Sequence, residues 1–510
     1  MATIVIIGSG FGGAIAAKRF AEAGHTVKII ELGERWKKSD ADPGPGATPQ
    51  QSQDTKFLLR LFRDYPIDYL QSKPKLVITQ GMGFGGGSLV YSGIHIRAPS
   101  SAFSTGWPSG YNRSNLDPFY ARFESRIGAA ALPDAGDYAR SQKFAQGAAA
   151  AGLPAPQPHK LAMTGCTKCG WCVPICKWGK KNTMAHTYLQ DAINTGRVTL
   201  YTNYKARYIA KYGSKYRAVV WYTGGVQSNY HRVNSGSQYY IEGDQIVIAC
   251  GSVESPALLS RSRTVPLPGG YTRINTSFSA TNLGKKIDGT GDFVQGGFLP
   301  SSHVVDGYKG AIMMNTIDRG NYILQDLHGI PAGPAVKFEG SFYLNDPNSY
   351  YGSNPRQRTW GIAYKQRFKS YGKHMMGVAI IGKSPSGANI TVVDDAGNAK
   401  ISTTAFSPPT NAINEARSII TSLGGTVANT PWENSGTAAT VHPVGGCKMG
   451  SWSDSVVDPH NLQVWYNPGL YVIDGSVLPG SPFRNPSSTI GAIAEKAMDV
   501  ILGVPGAPSW

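Results

Sequence analysis

The sequence predicts an α/β fold built around a doubly wound, Rossmann-like domain. Three observations carry that expectation. The N-terminus reads strand, glycine turn, helix, strand, acid. The middle of the chain holds a β-meander. Near the C-terminus, polar residues pinned beside glycine or proline run into a packed helix.

At the N-terminus, Thr3–Ile7 is a short apolar, β-rich run, as a buried parallel strand requires. It enters the turn Gly8-Ser9-Gly10-Phe11-Gly12-Gly13, and a helical stretch follows to Ala23, closed by Gly24. A second strand, Val27–Ile30, ends at Glu31. Glycines in this pattern give a tight turn, close approach to a pyrophosphate and close helix–strand packing, and the acid accepts hydrogen bonds from a ribose. The order of all five parts makes a dinucleotide site the expectation, without separating FAD from NAD.

Further along, Asp40–Asp54 is rich in Pro, Gly, Gln and Ser and reads as an exposed loop that would suit an entrance lid. A second glycine cluster, Gly81–Ser88, follows the extended run Lys75–Thr79. So dense a run of glycine suits backbone packed flat against a large planar group. Lys205–Val247 alternates β-formers with polar residues and turn signals, the pattern of a meander. Aromatic residues crowd 341–372 (Phe342, Tyr343, Tyr350, Tyr351, Trp360, Tyr364, Phe368), which suits either a pocket-lining sheet or ordinary sheet packing.

The last seventy or so residues carry His442-Pro443-Val444-Gly445-Gly446-Cys447, then Asp474-Gly475-Ser476, then Asn485-Pro486. From Pro486 to about Leu502, apolar residues at Ile490, Ile493, Ala494, Ala497 and Ile501 form the stripe of a packed helix, and Gly503 stops it. A helix start carries roughly half a positive charge and several unpaired N–H groups, so it suits an anion such as a reduced flavin ring.

The composition sets bounds. The chain has 510 residues, enough for two or three domains. Its 49 basic and 32 acidic residues give a net charge of +17, which favours anionic partners or an acidic surface. No basic helix or nucleic-acid motif accompanies that charge, so nucleic acid is not an expected partner. No apolar run reaches the ~18 residues of a membrane helix, although peripheral membrane contact fits the charge. The first strand begins two residues after Met1, leaving no room for a signal peptide, so a cytoplasmic location is expected.

Four of the six cysteines form the run Cys166-x2-Cys169-x2-Cys172-x3-Cys176, set among Lys168, Lys177, Lys180 and Lys181. The spacing equals a bacterial ferredoxin ligand run, with Lys177 where such runs have proline. In ferredoxins the fourth cysteine of the run serves another cluster, leaving three ligands for one. An iron–sulfur cluster, a structural zinc and free reduced thiols all remain open. Cys250 and Cys447 read as buried small residues within the nucleotide-domain motifs.

These segments together resemble the glucose–methanol–choline (GMC) flavoprotein oxidoreductases, cholesterol-oxidase-like branch. Gly8–Gly13 with Glu31, Gly81–Ser88, Lys181-Asn182-Thr183 with Tyr188-Leu189, Asp244–Ser260, His442–Cys447 and Tyr471–Ile490 carry the likeness, from end to end of the chain. Between about 290 and 435 it is faint. The resemblance implies an FAD domain assembled from 1–40, 195–290 and 437–510. It also implies a discontinuous substrate domain with an antiparallel β-sheet, from 41–194 and 291–436. FAD would lie across Gly8, Gly10, Phe11 and Gly13, its ribose near Glu31. Its ring would rest by Gly86, Gly87 and Ser88, with Asp474 and Gly475 at the ribityl–pyrophosphate. Asn485, Pro486 and the helix behind them would face the flavin pyrimidine.

The resemblance also implies a catalytic pair, His442 and Asn485. A neutral imidazole is well matched to removing a hydroxyl proton near pH 7, while Asn485 holds the substrate oxygen or polarises the flavin. The branch carries a glutamate in its substrate domain, and Glu339 is the nearest residue here, although an ordinary surface acid reads better. His95 lies near the second glycine loop and is conceivable as a covalent flavin anchor, but structural packing suits it better. The expected protein is thus an FAD-dependent enzyme oxidising an alcohol of a medium-sized organic substrate by hydride transfer to flavin N5. Its acceptor would be oxygen, a quinone or a redox protein, the last fed by an iron–sulfur relay. The alternatives are a non-catalytic electron-transfer flavoprotein subunit and a flavoenzyme reducing or isomerising a C=C bond.

Overall fold

The computed structural model describes residues 1–36, 62–66, 76–173, 175–176, 178–223, 238–275, 277, 282–307, 309–327, 371–383, 388–392, 399–403, 409–428 and 438–510. The Asp40–Asp54 loop, Lys177, Glu339 and the seven aromatic residues between 342 and 368 lie outside them.

A five-stranded parallel sheet forms the centre, with strand order 470–472, 245–248, 3–7, 26–31, 198–202. Ile4, Val5, Ile6 and Ile7 are buried, since helices cover both faces of such a sheet. The first helix, Phe11–Glu22, starts on the glycine turn, and Gly24 at φ +88° ends it in the left-handed region, as the sequence implied. The C-terminal helix spans Ser487–Ile501, with Pro486 just before its first turn and Gly503 left-handed just after its end. Arg19 of the first helix donates to Glu495 at 2.6 Å, and Tyr188 donates to the same carboxylate at 2.7 Å. Arg122, on the helix Arg113–Ile127, reaches Asp499 at 2.8 Å. Buried carboxylates of the C-terminal helix therefore tie three neighbouring segments together.

The meander expected over 205–247 is present as Tyr204–Tyr212, Lys215–Tyr222 and Gln238–Gly243, with Tyr271–Arg273 added at the edge. A second, six-stranded antiparallel sheet has the order 426–428, 293–298, 375–382, 322–327, 315–318, 157–158. The mixed α/β architecture follows. Core membership cuts across the expected domain division. Leu116, Tyr120 and Phe123, and also Tyr188 and Leu189, belong to the same hydrophobic core as the N-terminal strand, although they fall within 41–194.

Candidate active site

His442 is placed by backbone pairing rather than by a regular element. Val444 N–H donates to Asp288 O, Gly445 N–H to Gly475 O, and Cys447 N–H to Ser476 O, at 2.8 to 2.9 Å. The two glycines of the motif make this possible. Gly445 has φ +89°, and a Cβ there would meet Lys286 O at 2.5 Å. The H-P-x-G-G-C pattern thus stitches the chain onto the 474–477 turn and leaves the imidazole at the end of the stitch.

The imidazole has a partner that sequence reasoning missed. His442 Nδ1 lies 2.8 Å from Asp292 Oδ1. Asp292 is itself held: Thr290 Oγ1 donates to it at 3.0 Å, Thr440 Oγ1 at 2.9 Å and the Val441 N–H at 3.0 Å. A carboxylate on Nδ1 fixes the tautomer with the lone pair on Nε2. That nitrogen faces Asn485, whose Nδ2 stands 3.4 Å away. Asn485 Oδ1 is buried without a hydrogen-bond partner, a group that a ligand would satisfy. Asp292 precedes the first long strand of the antiparallel sheet, Phe293–Phe298, in a region where no motif stands out. Its only signal is a pairing 150 residues apart, which a single sequence does not display.

Asn485 sits in a turn clamped from the same sheet. Arg484, fully buried, donates bidentately to Asp318 at 2.7 Å and also to Gly320 O and Phe483 O. Beyond it, the C-terminal helix begins with no side-chain cap. Its first-turn hydroxyls turn elsewhere: Ser487 to Ile94 O at 3.1 Å, Ser488 to His95 Nδ1 at 3.1 Å, Thr489 to Tyr120 Oη at 2.8 Å. The first-turn N–H groups therefore lack a side-chain acceptor, an arrangement suited to an anion.

On the nucleotide side, the glycines divide by what surrounds them. A Cβ at Gly8 would meet Ala249 O at 2.3 Å, at Gly12 Ile473 O at 1.8 Å, and at Gly13 Gly8 O at 2.1 Å. At Gly10 it would meet nothing within 4 Å. Phe11 packs edge-on to Tyr91, with ring centroids 5.5 Å apart. The second cluster behaves likewise. Gly81, Gly83, Gly85 and Gly86 are crowded by protein, Gly86 by Gly10 itself at 2.6 Å, and Gly87 alone has open space. At four of its positions the cluster is therefore dense because protein crowds it, the first turn at Gly86 and Val90, Leu89, Trp36 or Ala185 at the others, not because a planar ligand demands it. Ser88 is buried and donates to Gly85 O at 2.6 Å while accepting from Met184 N–H at 2.8 Å.

Both acids of this side are buried and engaged. Glu31 accepts from Ser9 Oγ at 2.5 Å, Ser9 N–H at 3.1 Å and Gly33 N–H at 2.9 Å. Burial raises its pKa above the ordinary carboxylate value, opposed by those donors. Asp474 accepts from Ser255 Oγ at 2.5 Å, Gly251 N–H at 2.8 Å and Ser476 N–H at 2.8 Å, so it anchors the helix Gly251–Thr264. Its pKa is also raised, again by burial first. Gly475 stands beside Ile490 of the C-terminal helix. His95 is buried between the rings of Tyr91 and Phe123, and burial lowers its pKa to about 3. Packing explains its position.

The four cysteines of the run line one pocket. All are free thiols; Cys172 is buried and the other three are half-buried. Among the described residues no three Cys, His, Asp or Glu side chains stand so as to hold one metal ion. Cys447 is buried, while Cys250 is half-buried and its Sγ lies 3.2 Å from Ile7 O.

A glycine-turn nucleotide domain joined to an antiparallel sheet, with a histidine–asparagine pair between them, defines a nucleotide-cofactor oxidoreductase. The chain belongs to the GMC oxidoreductase family, whose models match residues 3–265 and 411–494. It is similar to a cholesterol oxidase of Acinetobacter baumannii, 24% identical with 98% of this chain and 94% of that protein covered. A cholesterol oxidase of Mycobacterium tuberculosis is 28% identical over 231 residues, 38% of this chain and 37% of that protein, so the match spans little more than a third of that relative. A long-chain-alcohol oxidase of Arabidopsis thaliana is 24% identical over 96% of this chain and 66% of its own length. In fold, the chain resembles the crystal structure of pyridoxine 4-oxidase from Mesorbium loti, with TM-score 0.62, 16% identity and 98% of each chain covered.

Proposed function

We propose that the chain is an FAD-dependent oxidoreductase that converts a CH–OH group into a carbonyl. Bound FAD would supply the hydride acceptor, its N5. Three features support a flavin at this place: open space over Gly10 and Gly87, the uncapped start of the C-terminal helix, and the unsatisfied Asn485 Oδ1. Gly8, Gly10, Phe11, Gly13 and Glu31 would hold the nucleotide half. Gly86, Gly87, Ser88, Gly475, Asn485 and Pro486 would border the ring half. The Asp474 carboxylate already has three protein donors, so we assign it to shaping the cradle.

The observation that carries the reading is the chain Asp292–His442–Asn485. Asp292 keeps the proton on Nδ1, so Nε2 is free to take the substrate hydroxyl proton as the α-hydride leaves. Asn485 would orient the same hydroxyl by donating from Nδ2 to its oxygen, leaving Oδ1 for a donor on the bound cofactor. The relatives are named for cholesterol and long-chain alcohols, and an apolar alcohol is our proposed substrate class. As acceptor we propose dioxygen, since the relatives that the chain resembles are named oxidases.

His442→Ala tests the reading. Anaerobic mixing with a long-chain or sterol alcohol should reduce the flavin of the wild-type chain, and the variant should do so about 10²–10⁴-fold more slowly with flavin still bound. Equal rates would remove His442 from the chemistry.

A further inference from the structure

The turn that carries Asp292 to His442 carries a second carboxyl. Asp288-Gly289-Thr290-Gly291-Asp292 leads into the strand Phe293–Phe298, and its middle residue serves both acids. Thr290 N–H donates to Asp288 Oδ1 at 2.7 Å, while Thr290 Oγ1 donates to Asp292 Oδ1 at 3.0 Å. Thr290 is fully buried and left-handed, at φ +55°. That backbone is an outlier for a β-branched residue and costs free energy, and such strain gathers where a structure must aim a group. Gly382 N–H, donating to Thr290 O at 2.7 Å, and Thr440 Oγ1, donating to Gly289 O at 2.8 Å, hold the turn in place.

Asp288 is fastened to the pieces that hold His442 and Asn485. Its backbone pairs in both directions with Val444, two residues past His442, at 2.8 and 2.9 Å. The N–H of Ser481, four residues before Asn485, faces its carboxyl. The charged and titratable groups around it are Asp292 on the same turn, His442 beyond Asp292, and Lys383 just after the strand Met375–Gly382. Upstream, Lys285 is half-buried and Lys286 exposed.

Two carboxyls joined by one residue do not both ionise readily. Asp292 has two hydroxyls, a backbone N–H and an imidazole on it. Asp288 has the N–H groups of Thr290 and Ser481. Burial pushes the Asp288 carboxyl up to about 7, opposed by Thr290, raised further by the Asp292 charge, and opposed again by Ser481 and Lys383. Asp288 therefore changes charge near neutral pH, beside a carboxylate that is tied up with His442.

We infer that Asp288 is a positioning residue for the proposed oxidation: its negative charge, acting through Thr290 and Asp292, strengthens the hold of the His442 imidazole on the substrate proton. The inference rests on the proposed role of His442. Once the hydroxyl proton reaches Nε2, the ring is a cation. An ionised Asp288 behind Asp292 favours that cation, and a protonated Asp288 does not. Asp288 keeps some exposure, so it trades its own proton with solvent. It takes none from the substrate, and the proton and electron balance of the oxidation is unchanged.

Asp288→Asn keeps the shape and the acceptor for Thr290 N–H but is neutral at every pH. Anaerobic mixing of the flavin-loaded chain with a long-chain alcohol gives the rate of flavin reduction. The ratio of wild-type to variant rate should grow about three- to tenfold between about pH 5.5 and 8.5. A merely structural Asp288 would change both rates by one factor. A ratio that does not move with pH, or that moves toward the variant, would overturn the inference. Histidine labelled with carbon-13 at Cε1 gives a readout free of catalysis. The His442 resonance, assigned by its loss in His442→Ala, should shift in two steps between about pH 5 and 9 in the wild-type chain and in one step in Asp288→Asn. Identical curves would overturn the inference, and a one-step wild-type curve would do so even if the variant failed to fold. No flavin reduction by any alcohol, with the two-step curve intact, would instead refute the proposed function and leave the coupling of Asp288 to His442 standing.

Discussion

At the scale of single residues, the proposed site depends on one carboxylate acting through one imidazole. Asp292 touches neither substrate nor cofactor in the proposed scheme; it positions His442 and selects its tautomer. Asp292→Asn preserves shape while removing the charge that holds the Nδ1 proton. Alcohol-driven flavin reduction should fall on the order of a hundredfold, and the pH dependence of that step should change shape. A merely structural Asp292 would leave the pH profile of the residual activity where it was. His442 and Asn485 were legible because glycine and proline flank them in a pattern. Asp292, Arg484 and Asp318 were not, since each is defined by a partner more than a hundred residues away.

At the scale of elements, the strand–turn–helix at the N-terminus does two different things with four glycines. Gly12 lets Ile473 O approach, and a methyl group there would sit 1.8 Å from that oxygen. Gly12→Ala should therefore destabilise the chain by more than about 3 kcal/mol, seen as a large fall in melting temperature or loss of soluble protein. Gly10 has an ordinary extended backbone, φ −68° and ψ −161°, and open space around it. Gly10→Ala should fold with nearly unchanged melting temperature but bind FAD at least tenfold more weakly, measured by flavin titration of the apoprotein. If both variants behaved alike, the division of roles within the turn would fail. The motif displays the glycines equally; only the approach of other strands separates those that serve packing from those that face a ligand.

At the scale of the whole molecule, buried histidines contribute to the acid limb of stability. His95 and His159 lie in the interior, and burial lowers their pKa values from 6.5 to about 3 and about 4. Between about pH 6.5 and 4 these two side chains bind more protons in the unfolded chain than in the folded one, so the stability they contribute falls as pH falls through that window. The mostly buried Asp288, raised to about 7, acts in the opposite sense. His159 lies outside the flavin site, with Nδ1 2.8 Å from Thr316 Oγ1. His159→Gln should flatten the fall in melting temperature between pH 6.5 and 4.5 while leaving it near neutral pH little changed. An unchanged slope would show that His159 is not buried in its neutral form.

The N-terminal βαβ unit, the meander and the C-terminal helix were all readable in the sequence. Each is encoded locally, by apolar period, turn residues and end signals within a few residues. The same holds for the family, whose motifs sit in those local units. The tertiary structure decided what distance along the chain conceals. It paired Asp292 with His442, packed the second glycine cluster onto the first, and drew residues of 98–127 and 184–192 into the nucleotide-domain core. It also gathered four cysteines around one pocket that the buried Lys181 borders. Local propensity is a property of neighbouring residues and is written in their order; a charge pair or a shared pocket exists only once folding has brought distant segments into contact.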